Sequence, residues 1–125
     1  MDRESHTLPK AERLCGRKAV AQLFEKGKGG VSGCLRYKYL RRPDAEVSRI
    51  MVSVPKRSFK RAVKRNLLKR RIREAYRLRK HELGPGVDIL FMYLPREVLS
   101  FADIDASMAG VLAAVAPGPE MEKTE

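Results

Sequence analysis

The chain has 125 residues, with 27 Lys or Arg against 15 Asp or Glu, a net charge of +12 and a pI near 10.2. That length supports one domain with a modest core, and the charge calls for a polyanionic partner, either nucleic acid or an anionic membrane surface. A hydrophobic share of 43% excludes wholesale disorder, and no apolar run approaches the roughly 18 residues of a membrane span.

Residues 1–12 are polar and are expected to be loose. The opening MDRESHTLPKAER lacks the apolar stretch of a signal peptide, which predicts a cytoplasmic protein with no membrane association. Cys15 and Cys34 have neither metal-type spacing nor a second pair, so reduced thiols are expected. A short helix is predicted from Arg17 to Lys26, closed by Gly27, with Val20, Leu23 and Phe24 on one face at i, i+3 and i+4. The glycine-rich turn after it leads toward a short edge strand ending near Gly33. From Cys34 to Leu40 the pattern alternates, Leu35, Tyr37 and Tyr39 to one side and Arg36 and Lys38 to the other, as in a half-buried strand. After a turn through Pro43 and Asp44, the β-branched run VSRIMVSV from Val47 to Val54 reads as the next strand of a hairpin, stopped by Pro55.

The stretch from Lys56 to Lys80 holds 13 Lys or Arg in 25 residues and one acid, Glu74. At 100° per residue, Asn66, Lys69, Arg70, Arg73, Arg77 and Lys80 share one helical face. Leu68, Ile72, Ala75 and Tyr76 form a face roughly opposite, flanked by Leu67 and Leu78. The helix is expected to begin between Ser58 and Arg61, with Ser58 as candidate cap. A solvated helix normally mixes signs, because opposite charges four residues apart stabilise it and like charges repel. A face of one sign fits a phosphate backbone, and the small Ala62 and Ala75 opposite it suit a lipid surface poorly.

Gly84-Pro85-Gly86 breaks the chain, and VDILFMYL from Val87 to Leu94 has the near-continuous apolar character of a strand buried on both faces. Ser100 and Asp103 match a weak capping box before a core-facing helix, with Phe101, Ile104, Met108, Val111, Leu112 and Val115 on one stripe, ended before Pro117. One domain over residues 13–116 follows, with a disordered tail at 117–125. The order of elements, αβββαβα, predicts an α+β fold, a two-layer α/β sandwich on a four-stranded mixed sheet.

No nucleophile and base can be assembled from these residues. His6 and His81 have no plausible acid or thiol partner, Gly27–Gly30 lacks the spacing of a phosphate-binding loop, and Asp103 and Asp105 are explained by the helix dipole. No catalytic residue and no metal ligand is assigned. Single-stranded RNA is held by cationic grooves and aromatic platforms. Tyr37 and Tyr39 on one strand face, with Phe24 beside them as cleft wall or core, offer such a platform. Ser53 and Lys56 at a strand end offer phosphate contacts.

The segment AVKRNLLKRRIREAYR, Ala62 to Arg77, resembles the signature helix of the bacterial ribonuclease P protein subunit, a pattern close to R-N-x-x-K-R-x-x-R-E-x-[FY]-R. Leu8-Pro9-Lys10, Glu12-Arg13-Leu14, Leu23-Phe24 with Gly27, and Val52-Ser53-Val54-Pro55-Lys56-Arg57 resemble other parts of that family in the expected order, so the likeness runs over about residues 8–116. Two positions depart from it: Leu67 stands where the family often has Arg, and Val20 where it often has an aromatic. The resemblance implies a ribosomal protein S5 domain 2-like fold whose basic helix makes a left-handed crossover between parallel strands, against the usual hand. It also implies a protein that joins a catalytic RNA and supports removal of the 5′ leader from precursor tRNA. The chemistry and its Mg²⁺ then belong to the RNA, and no protein partner is required. By the same likeness, Lys64, Arg65, Asn66, Lys69, Arg70, Arg73 and Arg77 face RNA. Phe24, Tyr37, Tyr39 and Ser53 line a cleft for the leader, with Lys56, Arg57, Arg13 and Arg96 as further contacts. The rival reading is a structural, ribosome-associated RNA-binding protein. A zipper-type DNA-binding helix is disfavoured because Gly84-Pro85-Gly86 stands where apolar heptads are needed.

Overall fold

Helices and strands alternate along residues 10–43 and 45–115, the part of the chain that this computed structural model describes. After a 3₁₀ turn at Lys10–Glu12 come helix α1 (Arg17–Lys26) and strands β1 (Lys28–Ser32), β2 (Leu35–Arg41) and β3 (Arg49–Ser53). Helix α2 (Ala62–Leu83), strand β4 (Val87–Tyr93) and helix α3 (Phe101–Val115) complete the order. The segment expected to be loose includes this turn at Lys10–Glu12. Its first nine residues, Asp44 of the expected turn and the tail from residue 116 lie outside the described part.

The four strands form one mixed sheet in the order β1-β2-β4-β3. β1 and β2 are antiparallel, as are β2 and β4, while β3 runs parallel to β4. This corrects the hairpin expected between the second and third strands. β4 lies between them, because its apolar residues on both sides need cover that only a central strand obtains. Ile89, Phe91 and Tyr93 are fully buried against the helices and Leu90 is buried on the opposite side. α2 is thus the crossover that joins the parallel pair β3 and β4.

Alternation sets the two faces of the sheet. Leu35, Ile50, Val54, Ile89, Phe91 and Tyr93 point into a core closed by Leu68, Ile72, Ala75 and Tyr76 of α2 and by Ile104, Met108, Val111, Leu112 and Val115 of α3. These are the apolar faces the periodicity predicts, and they make the two-layer sandwich. The short α1 lies across part of the other face, where Leu23 packs with Leu14 and Leu90. Phe24, expected beside Val20 and Leu23, is 51% exposed at the margin of that contact.

Local signals place the ends. The N–H of Gly27 donates to the carbonyl of Leu23 at 2.9 Å and closes α1. Ser100 Oγ accepts from the N–H of Asp103 at 3.2 Å, the capping contact read from the sequence. α2 starts at Ala62 after Arg61 and has no side-chain cap. Ser58 is held instead in the preceding turn, its N–H donating to the Pro55 carbonyl at 3.2 Å, too far upstream to cap the helix. Gly33 adopts φ +56°, and a Cβ there would lie 2.3 Å from Ser107 Oγ, so the β1–β2 turn needs glycine to meet α3. Within β4, Asp88 is 1% exposed and its carboxylate accepts from Arg49 at 2.9 and 2.7 Å and from Arg42 at 3.2 Å. A buried carboxylate is tolerated here because both of its oxygens are paired.

Candidate nucleic-acid interface

The cations of α2 divide by what they touch. In its C-terminal part they are tied to acids: Arg77 to Glu74 at 3.0 and 2.6 Å, Arg79 to Asp105 at 2.9 and 3.0 Å and to Glu82 at 3.2 Å, and Lys80 to Glu12 at 3.1 Å. The hydrogen-bonded partner in each arginine pair raises the guanidinium above its ordinary pKa, and Asp105 is correspondingly held below the usual carboxylate range. Arg71 donates to the Leu99 carbonyl at 2.6 Å, and Arg65 clamps the approach to the helix through the carbonyls of Phe59 and Lys60 at 2.7 and 2.9 Å. By contrast Lys60, Arg61, Lys64, Lys69, Arg70 and Arg73 have no ion pair within the described residues. Desolvation, and after it the charge of nearby Arg13, lower the pKa of Arg73. Concentrating unneutralised cations on the approach to α2 and along it as far as Arg73 makes a strip suited to phosphates.

A second surface lies on the face of the sheet that α1 only partly covers. Side chains of Val31, Arg36, Met92 and Ser53 form one row across the strands, and Gly29, Lys38, Leu90 and Met51 the next. Between these rows and α1 runs a groove of about 460 Å³. Its floor is apolar, from Val31, Leu90 and Met92, and its cations are Arg36 and Lys38. Phe24 forms the α1 side, with the Lys38 ammonium 5.6 Å from its ring centroid. An apolar floor, an exposed ring and two cations are the components with which proteins hold unpaired nucleotides through stacking and phosphate contact. At the far end of the first row is Ser53, and the exposed Lys56 and Arg57 follow it in the turn before α2. The groove and the unpaired half of the basic helix thus lie on either side of that turn.

The residues singled out from the sequence are partly brought together. Phe24 and Ser53 lie on the groove face, and Lys56 and Arg57 just beyond it. Arg13 is bridged beside Ile50 of β3, with the Leu14 N–H donating to the Ile50 carbonyl at 2.7 Å. Arg96 is exposed in the loop after β4. Lys64, Asn66, Lys69, Arg70 and Arg73 share the unpaired half of α2, while Arg65 and Arg77 are engaged by protein. Tyr37 reaches the groove wall shared with Phe24 only at the edge of the sheet, beside Gly30, and Tyr39 is not part of that wall. Both tyrosines follow Leu35 onto the opposite face and pack against the core under α3. The physical reason is that two long helices, with most of the apolar surface, claim the face of β2 that carries its apolar residues. The partners of Phe24 are the residues between them, Arg36 and Lys38, which the strand alternation names once the covered face is known.

Among the described residues, no group of three His, Cys, Asp or Glu is placed to hold a metal ion. Cys15 and Cys34 are free thiols, the first exposed and the second buried. No helix among the described residues is long and apolar enough to cross a membrane.

Comparison with known proteins agrees with this geometry. A family model described as Ribonuclease P matches residues 8–116. The chain belongs to the ribonuclease P protein family. The ribonuclease P protein component of Porphyromonas gingivalis is 38% identical over 118 residues, covering 87% of this chain and 86% of its own length. That of Petrotoga mobilis is 39% identical over 107 residues, covering 83% and 86%. In fold, the chain resembles the ribonuclease P protein of Staphylococcus aureus, with a TM-score of 0.74 at 24% identity over 84% of this chain and 95% of that one. The Thermotoga maritima protein gives 0.73 at 24% over 83% and 97%. As a ribonuclease P protein component, the chain is an RNA-binding subunit in tRNA processing, and the RNA subunit is its partner.

Proposed function

We propose that the unpaired half of α2 docks on the catalytic RNA of ribonuclease P while the groove beneath α1 holds the 5′ leader of precursor tRNA. The RNA then removes the leader by Mg²⁺-dependent endonucleolytic cleavage. The observation that carries this reading is the separation of two RNA-suited surfaces, one a cationic strip and the other an apolar groove with a ring and two cations. A phosphate backbone is drawn to the first by counterion release, and unpaired bases are stacked by the second. Mg²⁺ is assigned to the RNA in this reading; among the described residues no group of three His, Cys, Asp or Glu is placed to hold a metal ion, and no step is assigned to an ion held by these side chains. The protein screens RNA–RNA repulsion and positions the leader; it supplies no nucleophile or general base. It requires no further protein and works in the cytoplasm.

Cleavage of precursor tRNA by the RNA transcript, with and without purified protein over a Mg²⁺ series, tests this. RNA-free protein should leave the substrate intact, and added protein should lower the Mg²⁺ needed for cleavage. Nuclease activity in RNA-free protein that disappears on changing one side chain would overturn the assignment of chemistry to RNA. Binding without any effect on cleavage would favour a structural RNA-binding protein instead.

A further inference from the structure

Tyr37 and Tyr39 have unusual surroundings for residues on a core face. Both are half-buried near the margin of the sheet, their ring centroids 6.3 Å apart and their planes inclined by 27°. Neither hydroxyl makes a hydrogen bond to the described residues, whereas Tyr93, enclosed in the core, has two partners for its own. A buried tyrosine normally satisfies its hydroxyl within the protein, so these two reach solvent. The guanidinium of Arg41 lies 5.8 Å from the Tyr39 ring centroid and is fixed there by a hydrogen bond to the Val115 carbonyl. Lys28, directly across from Tyr39 on the edge strand, is exposed on the same face. The result is a ledge of two rings, with two cations beside Tyr39 that have no acidic partner among the described residues.

The ledge is continuous with the groove. Tyr37 faces Gly30 across the strand pair, and a Cβ on Gly30 would lie 2.5 Å from the Tyr37 hydroxyl oxygen. The tyrosine ring therefore fills the place of a β1 side chain and extends to the edge of the sheet. Its neighbour Gly29 likewise presents no side chain on the groove face. Gly29, Gly30 and Tyr37 all belong to the groove wall, together with Phe24 and Lys38 of the other face. Two consecutive glycines in an edge strand weaken it, but here they lower the rim between the two faces.

We propose that Tyr37, Tyr39, Lys28 and Arg41 form a second platform for unpaired nucleotides, reached by the upstream part of the leader as it passes over Gly29 and Gly30. This rests on the reading of the groove as the leader site and extends it to the other face of the sheet. The occupant is single-stranded RNA rather than a peptide, because the ledge combines aromatic faces with cations and offers little apolar area. Stacking on tyrosine makes the site tolerant of sequence, and Lys28 and Arg41 are placed for the phosphates on either side.

The test measures the affinity of the particle, reconstituted from protein and RNA, for precursor tRNAs whose leaders grow one nucleotide at a time. With the unmodified protein, affinity should rise in two stages, as the groove fills and then as the leader crosses the rim. Tyr39→Ala should abolish the second stage, a loss of about fivefold or more for long leaders, since stacking is worth at least that per base, and should leave short leaders unchanged. Lys28→Glu, an exposed change that leaves the core intact, should give the same length-dependent loss. Equal losses at every leader length, or none in either variant, would overturn the platform. If the unmodified particle shows no dependence on leader length at all, the groove assignment itself fails, and with it this extension.

Discussion

Replacing single cations of α2 separates those that meet RNA from those that hold the fold. Arg70 and Arg73 have no ion pair within the described residues, whereas Arg79 is engaged twice by Asp105 and once by Glu82. Each phosphate neutralised by a cation contributes about 0.7–0.9 to the slope of log affinity against log salt. Raising salt from about 50 to about 200 mM is fourfold, so one contact accounts for roughly threefold of the affinity lost over that range. Arg70→Ala or Arg73→Ala should each reduce the salt-induced loss by about that factor, and the double variant by about tenfold. Arg79→Ala should leave the slope unchanged and lower the thermal midpoint, because its bonds join α2 to α3. The assay is a titration of labelled protein with the RNA subunit over a salt series, alongside thermal unfolding of the free protein. A slope reduced as much by Arg79→Ala as by Arg70→Ala would show that the ion pairs open on RNA and would refute the division of the helix.

Other consequences follow from the protein's own contacts. Asp88→Ala leaves Arg42 and Arg49 facing each other without their carboxylate and should cost about 3 kcal/mol in denaturant unfolding, the low end for breaking a buried pair because both arginines keep access to water. Tyr93→Phe removes a hydroxyl that donates to the Glu97 carbonyl at 2.7 Å and accepts from the Leu99 N–H at 3.0 Å, and should cost about 1–2 kcal/mol by the same measurement. Because Arg79 holds the Asp105 carboxyl below its ordinary value of 3.8, the stability it contributes is present above that value and lost as pH falls through the depressed one. The thermal midpoint of Asp105→Asn should accordingly trail that of the unmodified protein at neutral pH and converge with it in acid.

Much of this architecture was legible because single elements carried unambiguous patterns. Gly27 and the Ser100–Asp103 pair marked helix ends, and the stripes of Leu68, Ile72, Ala75 and Tyr76 and of Ile104 through Val115 marked the faces that became the core. Topology was less so. Chain proximity suggested a hairpin between β2 and β3, but β4, more apolar than either, took the place between them. The alternation along β2 separated Leu35, Tyr37 and Tyr39 from Arg36 and Lys38 without saying which set would meet α1. That depended on where the two long helices bury their faces, a long-range outcome no local period encodes. Hence Tyr37 meets the groove only at its edge and Tyr39 lies outside it, while Arg36 and Lys38 line it with Phe24. The basic face of α2 could be seen in the sequence, but its division could not. Glu12 and Asp105 reach Lys80 and Arg79 from 68 and 26 residues away.

The affinity of the reconstituted particle for precursor and mature tRNA, compared in Phe24→Ala and Lys38→Ala, tests the placement of the leader most directly. Stacking of one base is worth roughly 1–3 kcal/mol, so losing the Phe24 ring should weaken precursor tRNA by at least about fivefold. Lys38→Ala, which removes the cation over that ring, should also weaken precursor tRNA, by a smaller factor that fades at high salt. Mature tRNA, which has no leader, should bind both variants as it binds the unmodified particle. Equal losses for the two substrates, or unchanged binding of precursor tRNA to both variants, would contradict the groove as the leader site.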